Sequence, residues 1–87
     1  MSEMAPGYWM FETSGVLRPA IERYLNGQPL TGANIAAIRA YFRQWMAHPG
    51  WQGPAVNALR VDVERLDGEE AIRRWLDAAE AEGIDPL

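Results

Sequence analysis

The sequence predicts an all-α fold in which four short helices pack into one compact small domain behind an extended apolar N-terminal segment. Turn-forming Gly, Pro and Asn residues divide the chain into apolar stretches of about 8 to 17 residues. Within these stretches, apolar residues recur every three or four positions, which is the spacing of one helical face. No stretch shows the strict alternation that is typical of a half-buried strand.

A chain of 87 residues is long enough for one small domain. We expect residues 1–15 to form an N-terminal apolar strap and residues 16–87 to form a single four-helix domain. The apolar part of the strap is Tyr8-Trp9-Met10-Phe11. Because a lone strand would have nothing to pair with, this segment is predicted to lie extended, or as a single turn, across the helices.

The first two helices are predicted from Val16 to Leu25 and from Thr31 to Ala47. Gly27 is a suitable left-handed residue to end the first helix, and Pro49 ends the second. Thr31 is expected to be the N-cap of the second helix. One side of that helix is strongly apolar, whereas the other side is mostly alanine. A helix with so little polar surface is expected to be central in its bundle or to touch a partner.

The last two helices are predicted from Pro54 to Leu66 and from Glu69 to Glu82. Gly53 before Pro54 is typical of a cap followed by the first helical position. Gly83 and Ile84 predict a Schellman ending for the fourth helix, with Ile84 folding back onto it. The third helix has a narrow apolar seam, formed by Val56, Leu59, Val63 and Leu66.

The composition leaves little scope for catalysis. Without Cys there is no thiol nucleophile or CxxC zinc site. A single His, His48, excludes a metal site built on a pair of histidines, including the HExxH motif, within one chain, and we expect it to interact with the end of the second helix. Most of the Ser and Thr residues lie where helices begin. We therefore expect no enzymatic activity, no metal and no cofactor.

Four Trp residues are several times the ordinary usage. Trp45 and Trp75 belong to the apolar stripes of predicted helices. Trp9 and Trp51 lie outside the helix interiors. They either reinforce the core or are exposed anchors for a partner, since Trp is enriched among interface hot spots.

Charge is distributed unevenly along the chain. The net charge is −4, and all eight basic residues are Arg. Residues 1–15 carry −2, residues 16–60 carry +4 and residues 61–87 carry −6. The molecule is therefore electrically two-ended in sequence. The complete use of Arg in place of Lys indicates a GC-rich bacterial coding sequence.

Five arginines have an acidic residue within helical reach, which predicts self-paired surface charges. Arg23, Arg39 and Arg43 have no such neighbour. Arg39 and Arg43 are expected either to pair with the acidic fourth helix across the bundle or to form a docking face for an acidic partner or a phosphate backbone. The predicted local pairs are Arg18–Glu22, Arg60–Glu64, Arg65 with Asp62 or Glu69, Arg73–Glu69 and Arg74–Glu70.

The segment Thr31–Trp45, a capping Thr followed by apolar periodicity, resembles the first helix of helix-turn-helix domains. The next helix carries Arg60 and Arg65 among Asp62 and Glu64, and it follows a six-residue Pro/Gly loop. These features differ from a recognition helix after a tight turn, and DNA binding is not predicted.

The main hypothesis is a non-catalytic protein–protein interaction module, either an adaptor or a small homo-oligomerising protein. Its partner would be another protein or a second copy, bound through the second helix and exposed Trp. The N-terminus of the chain resembles no signal peptide, and no apolar run reaches the roughly 18 residues of a spanning helix. A cytoplasmic location without membrane contact is therefore expected.

Two alternatives remain open. A small acidic inhibitor or accessory factor of a nucleic-acid-handling complex, analogous to anti-CRISPR and other phage or plasmid proteins, would place Glu69, Glu70 and Asp77 in a basic groove. Direct nucleic-acid binding would use Arg23, Arg39 and Arg43. The negative net charge argues against it.

Overall fold

A computed structural model describes residues 7–87, and within that range the chain is helical without strands. A 3₁₀ turn at Tyr8–Phe11 precedes the first helix. Residues 1–6 of the predicted strap lie outside the described residues. Of the two conformations predicted for Tyr8-Trp9-Met10-Phe11, extended or a single turn, the structure shows the turn. The four helices are α1 (Leu17–Leu25), α2 (Gly32–Met46), α3 (Pro54–Asp62) and α4 (Glu69–Ala81), with a second 3₁₀ turn at Val63–Arg65.

The ends of the helices follow from local backbone chemistry. The Thr31 Oγ1 accepts the Asn34 N–H at 3.0 Å, and the Asn34 Oδ1 accepts the Thr31 N–H at 2.9 Å, a reciprocal capping box that starts α2. Gly83 has a φ of 79°, and the Ile84 N–H donates to the Ala79 carbonyl at 2.9 Å. This is the predicted Schellman ending of α4, and it places Ile84 fully in the core.

The third helix is shorter than predicted. Its α-helical part ends at Asp62, and the chain tightens into the second 3₁₀ turn before Leu66 leaves in an extended conformation. The predicted apolar seam is nevertheless buried along its whole length. The seam therefore predicted the packing correctly, whereas the helix boundary was wrong.

The core lies around α2, which packs against α1, α3 and the second 3₁₀ turn. Phe42 stacks on Trp75 with ring centroids 4.6 Å apart. The Trp75 indole N–H donates to the Leu59 carbonyl at 3.0 Å, which joins α4 to α3. The C-terminal tail is also attached to α2, since the Tyr41 hydroxyl donates to the Pro86 carbonyl at 2.6 Å. Among the described residues, no helix is long and apolar enough to cross a membrane.

Candidate interaction surface

The two unassigned tryptophans do not form an exposed pair. Trp9 is 7% exposed and belongs to the core. The expectation that Trp9 is an exposed anchor is therefore wrong, because the N-terminal 3₁₀ turn directs its indole inwards. Trp51 is half-buried, stacks on Trp45 at 6.5 Å, and lies near His48, whose ring centroid is 5.9 Å away. The aromatic side chain that the strap exposes is instead Phe11, at 77%.

The three arginines without acidic neighbours in sequence, Arg23, Arg39 and Arg43, all form hydrogen bonds within the protein. Arg43 makes a bidentate pair with Glu64, with two N–O distances of 2.7 Å. Arg39 donates to the Leu66 carbonyl at 2.6 Å, and Arg23 to the Pro29 carbonyl at 3.1 Å. Of the two alternatives for Arg39 and Arg43, pairing with the acidic fourth helix is therefore wrong, because their partners lie in and directly after the second 3₁₀ turn, which packs against α2.

The contact between Arg43 and Glu64 shifts the pKa values of both side chains. The hydrogen bonds from Arg43 lower the pKa of the Glu64 carboxyl, and those to Glu64 raise the pKa of the Arg43 guanidinium. Both groups are solvent-exposed, so the pair is screened and its contribution is modest. A phosphate backbone that bound these arginines would have to replace contacts already made within the protein.

Arg60 has a structural role that the sequence analysis missed. Its guanidinium donates to the Met46 carbonyl at 2.7 Å, to the Trp51 carbonyl at 2.6 Å and to the Asn57 Oδ1 at 2.9 Å. The predicted Arg60–Glu64 pair is wrong, because the Met46 carbonyl at the end of α2, which lacks a helical partner, and the Trp51 carbonyl in the following loop accept bonds from Arg60 instead. The signal that could have found this role is an Arg within reach of a Pro/Gly loop that ends a helix.

His48 has a local role in the same loop. Its Nδ1 accepts the Gly50 N–H at 3.0 Å. The side chain therefore orders the turn after α2, whereas the expected contact was with the end of the helix itself. Within residues 7–87, no three His, Cys, Asp or Glu side chains come together as a metal site would require.

The two acidic residues at the start of α4 are followed by two basic residues, Arg73 and Arg74. Glu69, Glu70 and Asp77 are all exposed. Glu70 pairs with Arg73 at 3.2 Å, three residues along the helix. The beginning of α4 is thus electrically mixed. Beyond Arg74 the chain contains only acidic charged residues, all of them exposed, namely Asp77, Glu80, Glu82 and Asp85.

The side of α2 that points away from the core is exposed and consists mainly of alanine, and we call its alanines the alanine face. The other exposed residues of α2 are Gly32, Arg43 and Gln44. The remaining charged residue of α2, Arg39, is half-buried at the edge. The alanine face consists of Ala33, Ala36 and Ala40 of α2 and of Ala47, the residue that directly follows the helix.

A groove lies beside the alanine face, between α2 and the segment that leads into α1. Its volume is about 210 Å³, and we call it the N-terminal groove. Ala40 belongs both to the groove and to the alanine face. The other lining residues are Glu12, Ser14, Val16, Leu17, Ala37, Tyr41 and Gln44.

A second groove of about 330 Å³ lies between the end of α3 and α4, and we call it the α4 groove. Its floor includes Leu66 and Trp75, both of which are almost fully buried. Arg65 and Arg74 border it together with two Asp residues, Asp62 and Asp67. The predicted pair of Arg65 with a nearby acid is absent from the ion pairs among residues 7–87.

Comparison of the chain with known protein families, with curated proteins and with solved structures gives no match.

Proposed function

We propose that the protein is a non-catalytic interaction module that binds another protein, or a second copy of itself, through the outward side of α2. The alanine face is the observation that carries this proposal. A solvated helix face ordinarily carries charged residues, whereas α2 contains two Arg and no acidic residue. Small side chains on an exposed helix allow the backbone of a partner to approach closely.

The distribution of exposed large apolar side chains supports the same surface. Among residues 7–87 there are five, and three of them lie in the short segment that precedes α1 and borders the N-terminal groove. They are Met10, Phe11 and Val16, exposed at 48%, 77% and 53%. Clustered apolar surface of this kind is typical of interaction sites, whereas single exposed apolar residues are ordinary.

Charge insertion on the alanine face tests the proposal. Ala33→Glu and Ala36→Glu introduce carboxylates on the outward side of α2, at positions that do not line the N-terminal groove. Ala55→Glu and Ala58→Glu place the same charge at exposed positions of α3 and are matched controls. Helix content and melting temperature, followed by circular dichroism, should be nearly equal for all four variants.

Association is then measured by sedimentation velocity for self-association and by affinity capture from the cells that express the protein. The wild type and the α3 variants should associate, and the α2 variants should lose association at least tenfold. A wild-type protein that stays monomeric at high concentration and recovers no partner contradicts the proposal. Equal losses in the α2 and α3 variants also contradict it.

The acidic inhibitor remains a second candidate because of the exposed acidic end of α4. Asp77 lies in this acidic end, whereas Glu69 and Glu70 lie beside Arg73 and Arg74. Charge reversal of Glu69, Glu70 and Asp77 should abolish inhibition of a nucleic-acid-handling complex. Unchanged inhibition after that reversal contradicts this candidate.

A further inference from the structure

Phe11 is the most exposed large apolar side chain among the described residues, at 77%. It closes the N-terminal 3₁₀ turn, in which the Met10 N–H donates to the Gly7 carbonyl at 2.9 Å and the Glu12 N–H to the Trp9 carbonyl at 3.3 Å. The turn places Trp9 in the core, so Phe11 projects from an anchored backbone. An aromatic ring presented in this way loses little conformational freedom when a partner covers it.

Glu12, the residue after Phe11, is the first residue that lines the N-terminal groove. Its apolar lining residues are Val16, Leu17, Ala37 and Ala40, and Glu12, Ser14, Tyr41 and Gln44 supply the polar part of the lining. The one charged lining residue, Glu12, accepts the Ser14 N–H through Oε1 at 2.9 Å. The groove offers no cation to an anionic ligand, and its volume of about 210 Å³ is below the range of about 300–1,000 Å³ that is usual for small-molecule pockets. Its size and lining suit a single apolar side chain.

We propose that the chain forms a two-fold dimer in which Phe11 of each copy enters the N-terminal groove of the other. A projecting ring and an apolar groove that adjoin each other on one surface are the requirement for an isologous contact, in which the same patch is used twice. The proposal rests on the proposed function and names its partner, a second copy of this chain. Ala40 connects this contact to the alanine face.

The area available predicts a weak dimer. A buried aromatic side chain removes about 150–250 Å² from water, so two copies of Phe11 and the grooves they enter involve several hundred Å². Met10 and Val16 add to the rim of the contact. This total is below the roughly 1,200 Å² at which stable interfaces begin, so the dimer should be transient and depend strongly on concentration.

Sedimentation velocity and light scattering over a range of about 10 μM to about 1 mM test the dimer. The wild type should shift from monomer to dimer across this range. Phe11→Ser removes the ring, and Ala40→Arg fills the groove. Each should weaken dimerisation by at least tenfold. Val61→Ser, at an exposed position of α3 with 56% exposure, removes apolar surface elsewhere and should leave the dimer unchanged.

Mixing the two variants gives a sharper test, because each retains the half of the contact that the other has lost. Unlabelled Ala40→Arg protein still presents Phe11, and ¹⁵N-labelled Phe11→Ser protein still has an open groove. Titration should shift the amide signals of Leu17 and Ala37 in the labelled protein. Titration with unlabelled Phe11→Ser should not shift them. Equal shifts in both titrations overturn the proposal.

The remaining outcomes separate this inference from the proposed function. A wild type that is monomeric throughout, or a dimer that Phe11→Ser leaves intact, overturns the Phe11 contact. If the dimer survives Phe11→Ser but is abolished by Ala36→Glu, the proposed function stands. If the wild type is monomeric but binds a different protein and Phe11→Ser abolishes that binding, the second copy is the wrong partner.

Discussion

A single guanidinium holds the connection between α2 and α3 together. Arg60 bonds one carbonyl at the end of α2, a second carbonyl in the following loop and the side chain of Asn57. The two carbonyl bonds are partly buried, so their loss would leave acceptors without partners in a region of limited water access. Arg is suited to this role because its planar group carries several donors in a fixed arrangement.

Replacement of Arg60 should therefore destabilise the fold more than removal of a surface ion pair. Arg60→Ala is expected to lower the free energy of unfolding by about 2 kcal/mol, and Arg60→Lys should recover only part of that loss. Arg18→Ala, which removes an exposed pair with Glu22, should cost less than about 1 kcal/mol. Urea unfolding followed by tryptophan fluorescence compares the three. Equal losses for Arg60→Ala and Arg18→Ala would show that the carbonyl bonds contribute nothing.

The Arg43–Glu64 pair predicts a pH dependence at the acid side. Hydrogen bonding to Arg43 lowers the pKa of Glu64 in the folded protein below its ordinary value of 4.5. The stabilisation is therefore fully present above pH 4.5 and is lost as the pH falls through the lowered pKa. The melting temperatures of wild type and Glu64→Gln should differ near neutral pH and converge in acid. In an Arg43→Gln background the same substitution should have little effect, and a difference that persists in that background contradicts this origin.

At the scale of the elements, the sequence pattern was sufficient for most of the fold. The predicted ends of α1, α2 and α4 agree with the structure within about one residue, because caps and left-handed glycines are local signals. The end of α3 is set by distant contacts. Arg39 and Arg43 hold the chain at Leu66 and Glu64, and the seam spacing continues through the 3₁₀ turn, so periodicity alone could not show where the α-helix stops.

The candidate surface was predictable only in part, because helical spacing shows which residues share a face but not how the strap packs. The alanine side of α2 was evident from helical spacing, which also predicted the possibility of a partner. The strap was predicted as a single apolar turn, but spacing does not indicate which of its aromatic residues points inwards. The packing of Trp9 into the core and the stacking of Tyr8 on Tyr41 decide that Phe11 is exposed.

The capping box that starts α2 allows a prediction for one element. Thr31→Ala removes the acceptor for the Asn34 N–H and should lower the free energy of unfolding by about 1 kcal/mol. Thr31→Ser should retain most of the stability, because the hydroxyl acceptor is kept. Thr13→Ala removes an exposed hydroxyl outside any helix and serves as the control. If Thr31→Ala and Thr13→Ala unfold at the same urea concentration, the cap does not stabilise α2.

At the scale of the whole molecule, the thickness of the domain limits its core. The described residues extend 33 × 31 × 17 Å, so few side chains are far from solvent. The C-terminal tail completes the core, since Ile84 and Pro86 are both buried against the helices. The Tyr41 hydroxyl bonds the Pro86 carbonyl across 45 residues of sequence, which joins the end of the chain to the central helix. Loss of the tail contact should therefore affect the stability of the entire domain.

Alkaline unfolding tests this connection. Burial raises the pKa of Tyr41 in the folded protein above its ordinary value of 10.0, because the ionised phenol is poorly solvated there. The unfolded chain therefore ionises first, so this contribution to stability is present below pH 10 and is lost as the pH rises through the raised pKa. Tyr41→Phe leaves the Pro86 carbonyl unpaired and should lower the free energy of unfolding by about 1 kcal/mol near neutral pH. The difference between wild type and variant should shrink as the pH rises above about 10, since the variant lacks this ionisation. Urea unfolding at a series of pH values measures this difference in the free energy of unfolding. A constant difference across the series would show that Tyr41 does not link the tail to α2 in the way the structure indicates.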